Sequence, residues 1–212
     1  MEDDPATQDG LRPVDVVVAG HRKDAETVTR ALRSHDPRLR EVALEALARV
    51  GDLDAATVAR VLREDPDARV RRRACDLAAG FHESGSLVSA LRGALDDPDA
   101  LVVEAACWAL GETPTAPVDE LMRIARSHPD VRAREAAVAA IGSIGDPRGL
   151  PALLGALDDR PTVRRRVVVA LAAFDGDEVQ DALRRAAEDR DWQVREVAEI
   201  VLEAGGEGGT PA

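Results

Sequence analysis

The stretch LREVALEALARVG, residues 39–51, decides the fold because it returns five times: VRRRACDLAAGF (70–81), VVEAACWALGE (102–112), AREAAVAAIGSIG (133–145), VRRRVVVALAAF (163–174) and VREVAEIVLEAG (194–205). The copies start at 39, 70, 102, 133, 163 and 194, so the intervals are 31, 32, 31, 30 and 31. A fixed period of this length marks a chain of stacked supersecondary units. Within each copy, apolar or small residues favour offsets 0, 4, 7, 8 and 11 from the start, as in Leu39, Ala43, Ala46, Leu47 and Val50. That spacing lays one buried stripe along a helix.

A second helical pattern precedes every copy: Val28, Ala31, Leu32; Val58, Val61, Leu62; Leu87, Ala90, Leu91, Ala94; Val118, Leu121, Met122, Ala125; Leu150, Leu153, Leu154, Leu157; and Val179, Ala182, Leu183, Ala186. Each unit is therefore a helical hairpin. Asp36-Pro37, Asp65-Pro66, Asp97-Pro98, His128-Pro129 and Arg160-Pro161 mark the turns inside hairpins, while Gly51, Gly111, Gly145, Gly176 and Gly205 mark the exits from second helices. The fold class expected is all-α, with about six hairpins. Residues 13–204 are expected to form the repeat domain, and 13–23, PVDVVVAGHRK, to act as a partial helix covering the first hairpin. Residues 1–12 read as a disordered acidic tail and 205–212 as a flexible glycine-rich one.

These repeats resemble the HEAT repeat family, in the short variant of about thirty residues also found in phycobilisome lyases, over residues 24–204. The mark of the resemblance is an Asp followed by Val-Arg at the start of the second helix: Asp65 with Val70-Arg71 and Asp189 with Val194-Arg195. Asp36 with Leu39-Arg40 and Asp159 with Val163-Arg164 follow it at shorter spacing. Val103 stands where Arg is expected, and His128 where Asp is expected. The resemblance implies a right-handed α-solenoid in which Asp and Arg of successive repeats form a ladder, so Arg40, Arg71, Arg134, Arg164 and Arg195 are read as structural. Tyrosine, which the tetratricopeptide pattern needs, is absent, and so is the ankyrin TPLH signature.

Composition narrows function. A net charge of −12 opposes binding to nucleic acid and anionic membranes, no apolar run is long enough for a membrane span, and the start MEDDPATQDG lacks the features of a signal peptide. The two cysteines, Cys75 and Cys107, suit a reducing compartment, so a cytoplasmic location is expected. Neither metal site nor cofactor is expected: His21, His35 and His128 fall in separate turns, and His82-Glu83 stands alone in a loop. Deoxyhypusine hydroxylase, a HEAT-like enzyme, carries repeated His-Glu pairs on second helices, where this chain has Glu41-Val42, Arg72-Arg73, Glu104-Ala105, Glu135-Ala136, Arg165-Arg166 and Glu196-Val197. No nucleophile elbow, P-loop or dinucleotide fingerprint is present.

The expected function is thus a non-enzymatic scaffold or adaptor for another protein, monomeric or weakly self-associating. An enzyme or enzyme subunit related to bilin lyases or HEAT-type iron hydroxylases is the alternative. Offsets 2, 6 and 9 of each second helix point away from the core, and in HEAT solenoids that side lines the concave surface. Offset 6 reads Glu45, Asp76, Trp108, Ala139, Val169, Ile200. The expected contact residues are Glu45, Asp76, Trp108, Val169 and Ile200, with Arg72 and Arg165 at offset 2 setting electrostatic register. Two readings of Trp108 stand side by side: an exposed anchor, or a filler folded over its small neighbours. Arg33, Arg63, Arg92, Arg123 and Arg184 form a row on the opposite, outer side.

Overall fold

A computed structural model describes residues 10–81, 84–113 and 116–206. The described residues contain thirteen α-helices and no strand. They group into two compact units that part between Ala94 and Leu95, whereas the repeat pattern alone presents 13–204 as one array.

The first unit holds α1 (Pro13–His21), α2 (Ala25–Leu32), α3 (Pro37–Val50), α4 (Ala55–Glu64), α5 (Ala68–Ala78) and α6 (Gly85–Ala94). Here α1 packs on α3 and α3 on α5, while α4 and α6 form the second layer. The covering helix predicted at 13–23 is α1. Its chain entry starts earlier than the sequence suggests: Leu11 is buried with Val16, Val28 and Leu39, and Arg12 clasps Asp15 across the first turn. Gly20 lies against α3 so closely that a Cβ there would stand 2.8 Å from that of Ala46.

The second unit holds α7 (Ala100–Gly111), α8 (Val118–Ser127), α9 (Val131–Ile144), α10 (Leu150–Gly155), α11 (Pro161–Leu171), α12 (Asp177–Ala186) and α13 (Trp192–Gly206). The second helices α7, α9, α11 and α13 lie side by side in one layer. Helix α10 is short because 3₁₀ turns at Pro147–Gly149 and Ala156–Asp158 replace its ends. Helix α13 continues through Gly205 to Gly206, two residues into the stretch expected to be tail. Residues 1–9 and 207–212 of the two expected tails, and the pair His82-Glu83, lie outside the described residues.

The turns show why Asp recurs. Asp67, Asp99 and Asp130 accept the backbone N–H two residues ahead, at 2.8–2.9 Å, and so cap the second helices. The residue two positions earlier accepts from the cap's own N–H: Asp65 from Asp67, Asp97 from Asp99, His128 Nδ1 from Asp130. Asp36 belongs to the capping set, since it accepts from Arg38 while Ser34 Oγ accepts from Asp36. This corrects the placement of Asp36 as a ladder residue.

The ladder runs forward. Arg40 clamps Asp65 of the next turn with two bonds of 2.7 and 2.8 Å, and its third nitrogen reaches the Ser34 carbonyl. Arg134 holds Asp159 and the His128 carbonyl in the same way, and Arg164 holds Asp189 and the Asp159 carbonyl. Bidentate, largely buried pairs of this kind are the strong form of the interaction. The guanidinium of Arg134 pulls the Asp159 carboxyl below its ordinary range, and Arg164 does so for Asp189. Val103 and His128, the two departures from the pattern, are 25 positions apart, as are Arg40 and Asp65, so both gaps fall on one rung. There Val103 is wholly buried, and apolar packing replaces the ion pair.

Candidate protein-binding face

Glycine and alanine set the depth of this face. Gly111 of α7 abuts Ala140 of α9, and Gly142 of α9 abuts Ala170 of α11; a Cβ on Gly142 would lie 2.6 Å from that of Ala170. Helices that meet through such residues approach closely and leave no side chain above the seam. The result is a groove of about 310 Å³ with Gly111, Ala140, Gly142 and Ala170 along it and Trp108, Val169 and Arg166 beside them.

Trp108 is 44% accessible and Val169 48%. The Arg166 guanidinium carbon lies 5.5 Å from the Trp108 ring centroid, a cation–π contact, and its Nη2 donates to Glu135 Oε1 at 3.3 Å. Trp108 is therefore neither a free anchor nor a buried filler. Arg166 covers part of the ring, while almost half of the side chain stays open beside the groove. Of the expected contact residues, Trp108 and Val169 come together here. Ile200 is exposed but does not line the groove, and Arg165 instead reaches Gln193 Oε1 at 3.4 Å. The arginine that touches the groove is Arg166, one position further on.

The same shift occurs in the first unit. Arg73, not Arg72, joins the two acidic residues, with Nη2 2.7 Å from Glu45 Oε1 and Nη1 3.8 Å from Asp76 Oδ2. Asp76 is exposed, yet the chain around it removes enough water to push its carboxyl above the ordinary range, against the opposing pull of Arg72 and Arg73. Arg73 Nε is buried and has no acceptor among the described residues.

The outer arginines Arg33, Arg63, Arg92, Arg123 and Arg184 are all exposed. Arg123 pairs with Asp96 at 2.7 Å and Arg184 with Asp181, exposed pairs of small energetic weight. Cys75 and Cys107 are buried and form no disulfide; burial, reinforced by Glu104, pushes the Cys107 thiol up to about 12. Among the described residues, no three His, Cys, Asp or Glu are placed to hold a metal ion, and no helix is long and apolar enough to cross a membrane. Sequence reasoning missed Glu112 and Arg166 at the groove, and Trp192, 60% exposed at the start of α13.

Stacked hairpins with capped turns, forward Arg–Asp rungs and a recessed layer of second helices define the class of tandem helical-repeat proteins. A family model of HEAT repeats matches residues 57–120 and 118–203. The chain belongs to the HEAT repeat family. Solved structures agree on the fold. YibA of E. coli superposes with a TM-score of 0.63 at 19% identity, covering 95% of this chain and 77% of that one. A designed armadillo repeat protein in complex with the peptide (KR)4 superposes at 0.57 with 18% identity, covering 91% and 97%. An engineered protein from structural genomics gives 0.58 at 19% identity, covering 88% and 98%. No curated protein matches the chain in sequence.

Proposed function

We propose that this protein is a non-enzymatic scaffold that binds a segment of another protein on the exposed face of its second helices, with the Trp108 groove as the anchoring point. The observation that carries this reading is the half-open indole beside a groove whose floor is almost backbone. Burying such a ring against a partner gains a large apolar area without a prior rearrangement, and tryptophan is enriched among residues that dominate binding energy. Val169 supplies a second apolar wall. The designed armadillo repeat protein of similar fold, solved with a peptide, shows that stacked helical repeats can present a peptide-binding surface. We place the scaffold in the cytoplasm, acting as a monomer or weak oligomer, in keeping with its reduced, buried thiols.

Affinity capture from the native organism's lysate tests the reading. Wild type should retain a partner that Trp108→Asp loses, while circular dichroism shows equal helicity. Identical retained proteins for both would remove the groove as the anchor.

A further inference from the structure

Glu104 and Trp108 lie four residues apart on α7, and Glu112, the residue that caps its C-terminal end, follows four further on, so an acidic residue stands on each side of the indole along the helix axis, their Cα atoms about 12 Å apart. Among the described residues neither carboxylate closes a salt bridge, whereas Glu135, on the next helix, is taken by Arg166. The positive charge nearest the indole is thus already matched. Two carboxylates without a salt bridge remain, Glu104 feeling Arg132 only at longer range, in a protein of net charge −12.

An occupant of the groove must cover Trp108 and will remove water from its neighbours. A neutral apolar segment would leave Glu112, which lines the groove, partly desolvated without a cation and bring none to Glu104 one helical turn from the indole, and an acidic one would add repulsion. A segment with a cation on each side of an apolar residue satisfies both. In an extended chain, residues four apart lie about 13 Å from each other with side chains on the same face, close to the spacing of the two carboxylates.

We infer that the partner of this face is a basic protein segment, an extended Arg/Lys-x-apolar-x-Arg/Lys run whose central side chain enters the groove between Trp108 and Val169 while its cations meet Glu104 and Glu112. This rests on the scaffold reading above and specifies the partner's chemistry.

The test uses the full chain carrying Trp192→Phe, so that Trp108 is the sole tryptophan and reports directly. The probes are three blocked peptides: GRSLSRG, GESLSEG and GRSSSRG. The first should change Trp108 fluorescence saturably and bind several-fold more weakly when salt is raised from 50 to 300 mM, as screening requires. GESLSEG should not bind, and GRSSSRG should bind at least about tenfold more weakly for want of the apolar side chain. Glu104→Gln with Glu112→Gln should cost the first peptide about tenfold. Binding of GESLSEG equal to that of GRSLSRG, indifference to the two Glu→Gln changes, or no saturable signal with GRSLSRG up to millimolar peptide would each overturn the inference. If the peptides fail while Trp108→Asp still loses a partner in the capture experiment, the scaffold stands and only its partner's chemistry is wrong. If both fail, the face itself is wrong.

Discussion

Trp108 shows what a single position discloses and what it conceals. Its exposure follows from helical periodicity, because offset 6 lies opposite the buried stripe and its neighbours three residues away, Ala105 and Gly111, are too small to cover it. Its contact with Arg166 was not legible, since that pairing depends on how α7, α9 and α11 stack. The same limit explains why Arg72 and Arg165 stood in for Arg73 and Arg166. Neighbouring positions on a helix differ by about 100°, and the direction of a long side chain is settled by the acceptor it finds. Replacing Trp108 with Ala should weaken partner binding by about tenfold or more, with far-UV circular dichroism unchanged. Arg166→Ala in the Trp192→Phe background should raise acrylamide quenching of Trp108, because it removes the group covering the ring. Cys107, kept protonated at neutral pH by a pKa of about 12, should resist thiol reagents at pH 8 until the protein is unfolded.

The helix starts and rungs were partly legible. The Asp-Pro pairs marked the turns, yet spacing alone could not separate the Asp that caps from the Asp that accepts an arginine, since the two are only two residues apart. The hydrogen bonds separate them. Arg164, 4% exposed in its side chain and clamped to Asp189, should cost about 3 kcal/mol when changed to Ala, read as a fall in the urea midpoint, because the change strands a largely buried carboxylate. Arg132, more than half exposed beside Asp130, should cost less than about 1 kcal/mol. The pH dependence follows from the same contacts. Asp159 and Asp189 have lowered folded-state values, so their contribution is fully present above the unfolded carboxyl pKa of about 4 and is lost as pH falls through the folded values. A urea midpoint measured from pH 7 to pH 2 should therefore drop below about pH 4, and drop less in Asp189→Asn. The Val103–His128 rung offers a converse check. Val103→Arg alone should destabilise by burying an unpaired charge, and adding His128→Asp should recover part of that loss in a double-mutant cycle.

At the scale of the molecule, the repeat was the most legible feature. Six copies at nearly constant spacing determine hairpins whatever the surface residues are, and the HEAT match and the similar folds agree. The parting of the chain between Ala94 and Leu95 was not legible, because the periodic pattern passes through it unchanged. Nor was the groove. Its depth depends on Gly111 and Gly142 meeting Ala140 and Ala170 across seams, although glycine inside an otherwise helical stripe was the available signal. Gly142→Ala should lower the urea midpoint by the equivalent of about 1–3 kcal/mol, since a Cβ there meets Ala170 backbone as well as side chain.

The measurement that bears most directly on the scaffold is photocrosslinking from the full chain in native lysate, with benzoylphenylalanine placed at position 169 beside the groove or at position 184 on the outer row. The account predicts one discrete partner adduct from position 169, diminished by Trp108→Asp, and none of that mass from position 184. The same adduct from position 184, or an adduct at 169 indifferent to Trp108→Asp, would contradict it.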